Sequence, residues 1–389
     1  MADRVGFLNR IYAGFNSYKS SVVLSLALPL AVASTTASAG TIGLVGTYFT
    51  YAGDWSTDGK TECPQGINPD NRANFFETFK TDEERGKKFR EYASSQFHNR
   101  GPNGESDVYS PEAIQDLLPF HDGVGKVSEG FNLDGTKDGA ATDKTCKHTK
   151  FTSPDGAEAI DNQLWRVFAC IRGTRPGGTA DGFINMEIPV YATNRWLIEI
   201  TDVDSEVNDD HVKVMVAKGL DKLVSDGNNG YVPGLSQRVD TKLPELIYNT
   251  TGRIVNGELI TDPLPEYRMA GSTIKEFGER RFQNARFRLK LNPTGATGVL
   301  AGYHEVERYY RWYAKTMGFH GIITGTSSPS VYASMKRNAD GGKDPKTGQC
   351  TTISAAYSMK FVRANIVREE PLPEVAALLP GKSGSAGGQ

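Results

Sequence analysis

Residues 183–216 read FINMEIPVYATNRWLIEITDVDSEVNDDHVKVMV, and no other stretch restricts the fold as tightly. β-Branched and aromatic residues alternate with polar ones over 184–191, 196–200 and 211–216, the period of a strand with one face in a core and the other in water. In the last of these, Val212, Val214 and Val216 share one face, while His211, Lys213 and Met215 share the other. The spacing predicts three strands, joined by a turn at 192–195 and an acidic turn at 201–210.

The acidic turn carries Asp202, Asp204, Glu206, Asp209 and Asp210 with no cation between them. Their repulsion is relieved either by a bound hard cation or by solvation of a turn built from Asp and Asn. Calcium takes six to eight oxygen ligands, which makes Asp202, Asp204, Asn208 and Asp209 its candidate ligands. The turn is not an EF-hand, since no Gly stands at the sixth loop position and no Glu closes a twelve-residue loop. A second candidate is 132–138, NLDGTKD, where Asp134 and Asp138 fall among oxygen-bearing side chains at alternate positions. An Asp-Gly turn explains that segment more simply, without a metal.

Export is the clearest statement in the chain. Residues 1–21 carry Arg4, Arg10 and Lys19 against Asp3, residues 22–32 are apolar, and Ala37-Ser38-Ala39 has the small-x-small form of a signal-peptidase site. The apolar part is short of the ~20 residues that cross a bilayer and is interrupted by Pro29, so a cleaved signal over 1–39 is expected in place of a retained anchor. Removing that segment, with three basic residues and one acidic one, takes the formal net charge from −2 to −4. Such a balance gives no support to a nucleic-acid partner.

All four cysteines lie beyond the signal. In an exported chain they predict two disulfides. The shortest loop pairs Cys146 with Cys170, leaving Cys63 with Cys350. No CxxC pair suggests a metal knuckle, and no CxxCH suggests haem.

Along the rest of the chain, 47–51 can supply a first strand, and 71–97 reads as two helices, the second opened by a Thr81-Asp82-Glu83-Glu84 capping box. A short helix starts at Pro111, a long ordered loop covers 123–149, and 163–171 reads as an apolar strand. Residues 246–260 form a hairpin about Asn256-Gly257, a type I′ signal. Residues 281–291 alternate as a strand, 299–317 carries helical spacing, another helix runs from Ser328 to about 339, and 351–367 alternates again. The tail from Pro371 has a disordered composition. The 299–317 segment holds Tyr303, Tyr309, Tyr310, Trp312 and Tyr313, too many aromatics for one buried stripe. Tyr309 and Trp312 are therefore candidates for an exposed partner-binding surface.

GxSxG, P-loop and GxGxxG patterns are absent, and so is any nucleotide signature. HEVER at 304–308 opens like a zinc-protease helix but has Arg308 in place of the second histidine. The sequence therefore predicts a mainly β protein, an antiparallel β-sandwich or jelly roll over 163–370. A helical and loop subdomain over 40–162 precedes it, one or two helices lie near its C-terminal end, and a tail covers 371–389. The expected function is that of an exported, non-enzymatic binding or structural protein, calcium-stabilised at the acidic turn and facing a glycan or protein partner in the periplasm or outside the cell. A polysaccharide hydrolase using carboxylates near 202–210 and an accessory subunit of an envelope assembly are the alternatives.

Overall fold

The computed structural model describes residues 40–68, 80–84, 109–114, 120–190, 195–273, 276–316 and 327–368, with Asn103 and Glu105. The expected signal, the tail, and the 71–97 helices outside 80–84 lie beyond the described residues. The capping box is present: Thr81 Oγ1 accepts from the Glu84 amide at 3.2 Å, and Glu84 Oε2 accepts from the Thr81 amide at 3.1 Å.

The described residues form eleven strands: β1 (Gly40–Tyr51), β2 (Trp196–Val203), β3 (Asp209–Lys218), β4 (Leu235–Arg238), β5 (Tyr248–Val255), β6 (Glu258–Thr261), β7 (Leu264–Thr273), β8 (Glu276–Asn292), β9 (Gly295–Glu305), β10 (Gly341–Lys343) and β11 (Cys350–Val367). Eight of them run antiparallel in the order β1-β2-β3-β5-β6-β8-β9-β11, and β11 pairs back onto β1 with Leu44 opposite Arg363 and Phe49 opposite Met359. The sheet is thus a closed eight-stranded barrel, neither a sandwich nor a jelly roll. Alternation along a strand reports which face is buried, but not whether the two edges of a sheet meet. β1 lies within the segment read as the N-terminal subdomain, yet it closes the barrel. β4, β7 and β10 extend β11, β8 and β11 respectively.

The barrel holds its apolar residues inside. Leu44, Ile198, Val214, Ile254, Leu259, Phe287, Leu300 and Ile353 belong to one buried cluster, while Lys213, Arg253, Arg288 and Lys290 alternate outward. Eight strands enclose an interior that side chains can fill, and each Val, Leu, Ile or Phe withdrawn from water contributes roughly 1.5–3 kcal/mol. The β5–β6 hairpin turns at Asn256 and Gly257, with φ of 53° and 79°. Both values are positive, as a type I′ turn requires.

Among the described residues, four α-helices pack on this frame: α1 (Gln163–Phe168), α2 (Thr179–Val190), α3 (Val306–Thr316) and α4 (Ser328–Arg337). Two of them replace expected strands. In α2, Ile184 and Ile188 are buried but Met186 is 59% exposed, so burial follows a helical period where the sequence also allowed alternation. In α1, Leu164, Val167 and Phe168 enter the main core while Trp165 faces a separate cluster with Phe151 and Cys170. A Cβ at Gly53 would lie 1.9 Å from Trp165 Nε1, and one at Gly125 would lie 2.4 Å from Cη2, so the indole fits only between two glycines. The expected 299–317 helix is divided: β9 runs to Glu305, whose carboxylate accepts from the Glu307 and Arg308 amides at 3.3 and 2.9 Å and starts α3 there.

Arg195 is fully buried, and its guanidinium donates to the carbonyls of Asp221, Ile188 and Pro189 at 2.6, 2.8 and 3.5 Å. It thereby satisfies the end of α2, where Pro189 interrupts the helix ladder.

Residues 120–161 form a mostly irregular layer joined by isolated bridges, as the sequence suggested for 123–149. The layer packs on the outer wall of β9 and β11, where Phe131 meets Val299, Ala301 and Ala356. The disulfides are Cys63–Cys170 and Cys146–Cys350, with Cα separations of 5.6 and 6.0 Å. This corrects the expected Cys146–Cys170 and Cys63–Cys350 pairing. Helix α1 directs Cys170 toward the 59–66 loop, whereas Cys146 lies against the Asp340–Cys350 segment, so the shortest loop in sequence is not the shortest gap in space.

Candidate functional site

The acidic turn resolves its charge locally. Asp209 accepts from the backbone amides of Asp204, Ser205 and His211 at 2.7, 3.4 and 3.0 Å. These bonds, Asp204's first, hold its carboxyl below the ordinary range. Asp202 pairs with Lys213 at 2.8 Å, Glu206 pairs with Arg363 at 2.6 Å, and Asn208 Oδ1 accepts from the Asn256 amide at 2.9 Å. The side chains of Asp202, Asn208 and Asp209 thus bond different groups, while Asp204 gives its backbone amide to Asp209.

Between the 120–161 layer and the barrel wall, the described residues do gather one group with metal-ligand potential. Donor atoms of Asp134, His148 and Asp161 all lie within 4.8 Å of one another. Asp134 comes from the 132–138 loop singled out in the sequence; Asp138 instead accepts from the Ala140 amide at 3.0 Å. His148 Nδ1 donates to the Cys146 carbonyl at 2.9 Å, and its Nε2 lies 2.8 Å from Asp161 Oδ1 and 3.9 Å from Asp340 Oδ2. Lys150 Nζ bridges Asp134 and Asp161, the latter at 2.6 Å.

Burial alone would lower the His148 imidazole, but its bond to Asp161 and the charge of Asp340 outweigh burial and hold it above its ordinary value. Asp340 is fully buried, and burial pushes its carboxyl up to about 7 against the opposing pull of His148. The sequence hid this group because its members are scattered between positions 134 and 340.

A second polar group stands inside the barrel, at the end covered by α3. His304 is fully buried; Nδ1 lies 2.7 Å from the Arg281 carbonyl and Nε2 lies 2.8 Å from the Tyr357 hydroxyl. A carbonyl can only accept, so Nδ1 carries the proton and Nε2 accepts from Tyr357. The relay continues through Tyr309, 3.2 Å from Tyr357, to Tyr51 at 3.0 Å. Tyr309 stacks on His304 with ring centroids 4.3 Å apart. Tyr309 and Trp312 are only 3% and 8% exposed, so they do not form the outward aromatic surface expected of them. The barrel end absorbs the surplus aromatics of α3 that one helix stripe could not.

Arg280 enters the same space. It is 3% exposed, with its guanidinium 4.7 Å above the Phe49 ring and 4.2 Å above Trp312. Its Nε has no hydrogen-bond partner, and no carboxylate among the described residues pairs with it. Burial, ahead of the Arg280 charge, depresses His304 to about 3 and so keeps it neutral; burial also raises the phenols of Tyr51, Tyr309 and Tyr357 well above their ordinary value. These are neutral groups around one cation, poorly suited to exchanging protons. One sequence signal was available: Arg280 is in phase with the inward Phe282, whereas Arg286 and Arg288 lie on the outward phase beyond the bulge near Asn284.

The chain matches no family model, no curated protein and no solved structure.

Proposed function

We propose that this chain is an exported binding protein whose barrel end takes up a small organic anion, with the acidic group of the ligand on Arg280 and its apolar body among Phe49, Trp312 and Tyr309. The carrying observation is the buried guanidinium with no counter-anion among the described residues. Withdrawing a cation from water costs several kcal/mol, and contact with two aromatic faces recovers only about 0.5–2 kcal/mol each. An oxyanion bound there offsets the remainder. The neutral His304 and the raised phenols support binding over acid–base catalysis. Export is supported by the N-terminal signal pattern and by the two disulfides.

Calorimetric titration with benzoate, and with neutral benzamide as control, tests the reading. Benzoate should bind and benzamide should not. Arg280→Met should abolish benzoate binding while raising the melting temperature of the unliganded protein, because an uncompensated buried charge is removed. Equal binding of acid and amide, or a melting temperature lowered by Arg280→Met, would overturn it.

A further inference from the structure

We propose that Asp134, His148 and Asp161, with Asp340 as fourth donor, form a site for a borderline divalent transition-metal ion of the zinc class. Donor atoms of Asp134, His148 and Asp161 already lie within 4.8 Å of one another. The independent observation is Asp340 Oδ2, fully buried, without a hydrogen-bond partner and 3.9 Å from His148 Nε2. A buried carboxylate oxygen without a partner is costly unless a cation or proton meets it. The Tyr303 hydroxyl, 8% exposed and on the same outer wall of β9, also has no partner.

The surroundings hold the donors in a ligating orientation. The Cys146 carbonyl engages His148 Nδ1 at 2.9 Å and leaves Nε2 directed at the three carboxylates. Asp161 Oδ2 accepts from the Leu133 amide at 2.8 Å, Asp134 Oδ1 from the Thr136 amide at 2.8 Å, and Asp340 Oδ1 from the Ser354 amide at 2.7 Å. Such outer hydrogen bonds orient metal ligands. The Cys146–Cys350 disulfide ties the His148 segment to the start of β11, ten residues beyond Asp340.

Lys150 now fills the cation position, bridging Asp134 and Asp161, while Asp340 Oδ2 stays outside its reach. Metal entry displaces the Lys150 ammonium on its flexible stem and releases to solvent any proton held on His148 Nε2 or on the Asp340 carboxyl, since the ligands bind deprotonated. The imidazole favours zinc or a similar ion over calcium, which takes oxygen ligands alone.

The test is equilibrium dialysis of the EDTA-stripped full chain against zinc chloride and against calcium chloride at pH 7.5. We expect one zinc per chain and at least tenfold weaker calcium binding. Lys150→Met, which removes the competing ammonium, should tighten zinc at least tenfold, and His148→Gln should weaken it at least tenfold. Circular dichroism and the melting temperature verify that each variant is folded; if Lys150→Met does not fold, the wild-type and His148→Gln titrations decide. Failure of the wild-type chain to retain zinc, a preference for calcium, or unchanged affinity in folded His148→Gln would each sink the proposal. The Arg280 site lies inside the barrel and this one outside it, so either can fail alone.

Discussion

The Tyr357 hydroxyl donates to His304 Nε2 at 2.8 Å, and this bond, with Nδ1 committed to the Arg281 carbonyl, fixes an uncharged imidazole at the end of the barrel. His304 has a folded-state pKa of about 3 against an ordinary 6.5, so as the pH falls the unfolded chain takes up this proton first. Its contribution to stability is whole above about 6.5 and is lost progressively toward 3. His304→Gln, which can keep both hydrogen bonds, should therefore gain on wild type by roughly 1.4 kcal/mol per pH unit over that window. Urea unfolding of both proteins at pH 7, 5.5 and 4.5 measures the difference, and a constant offset would rule the assignment out.

The disulfide pairing is open to direct mapping. Non-reduced peptide mass spectrometry should find Cys63 joined to Cys170 and Cys146 joined to Cys350. Replacing Cys146 and Cys350 together by Ser should cost about 2–5 kcal/mol of stability. Because that bridge anchors the segment carrying His148, zinc retention should fall in the same variant. A Cys146–Cys170 peptide would refute the pairing.

Arg195→Met should be severe. It leaves the Asp221 and Ile188 carbonyls without their buried donor, a loss of about 3 kcal/mol or more. Arg195→Lys should recover little, since an ammonium cannot present the planar fork that reaches several carbonyls at once. Thermal denaturation compares the three proteins, and a lysine variant as stable as wild type would contradict this account.

For the acidic turn, added calcium should leave the melting temperature unchanged in a variant whose zinc-class site has been disabled by His148→Gln. Asp209→Ala, which strips three backbone amides of their acceptor, should cost about 1–2 kcal/mol. Asp204→Asn should stay within about 0.5 kcal/mol of wild type, as exposed substitutions usually do. A calcium-dependent shift that Asp202→Asn removes would establish the turn as a calcium site.

Local signals carried the strands well. The alternation over 211–216, the Asn-Gly turn and the alternation over 281–291 and 351–367 all correspond to barrel strands, because each depends on neighbours a few residues away. What failed was decided at long range. Ile184, Met186 and Ile188 satisfy a strand period as well as a helix period, and only the exposure of Met186 separates them. Tyr303, Val306 and Tyr310 keep helical spacing, although the first belongs to β9 and the other two to α3. The Asp134, His148, Asp161 and Asp340 group arises where the 120–161 layer meets the outer wall, and the Arg280 site where α3 meets the barrel end; no local window contains either.

That closure also sets the order in which the molecule can be made. The Thr47 hydroxyl bonds the Lys360 carbonyl, 313 residues further on, and β1 has no second strand neighbour until β11 arrives. During synthesis β1 therefore waits with one edge open while nearly the whole domain is translated, and the final pairing carries a large loop-closure entropy. Folding should be slow and should end in one late step. Until that step, the exposed edges of β1 and β9 are the surfaces a chaperone has to shield.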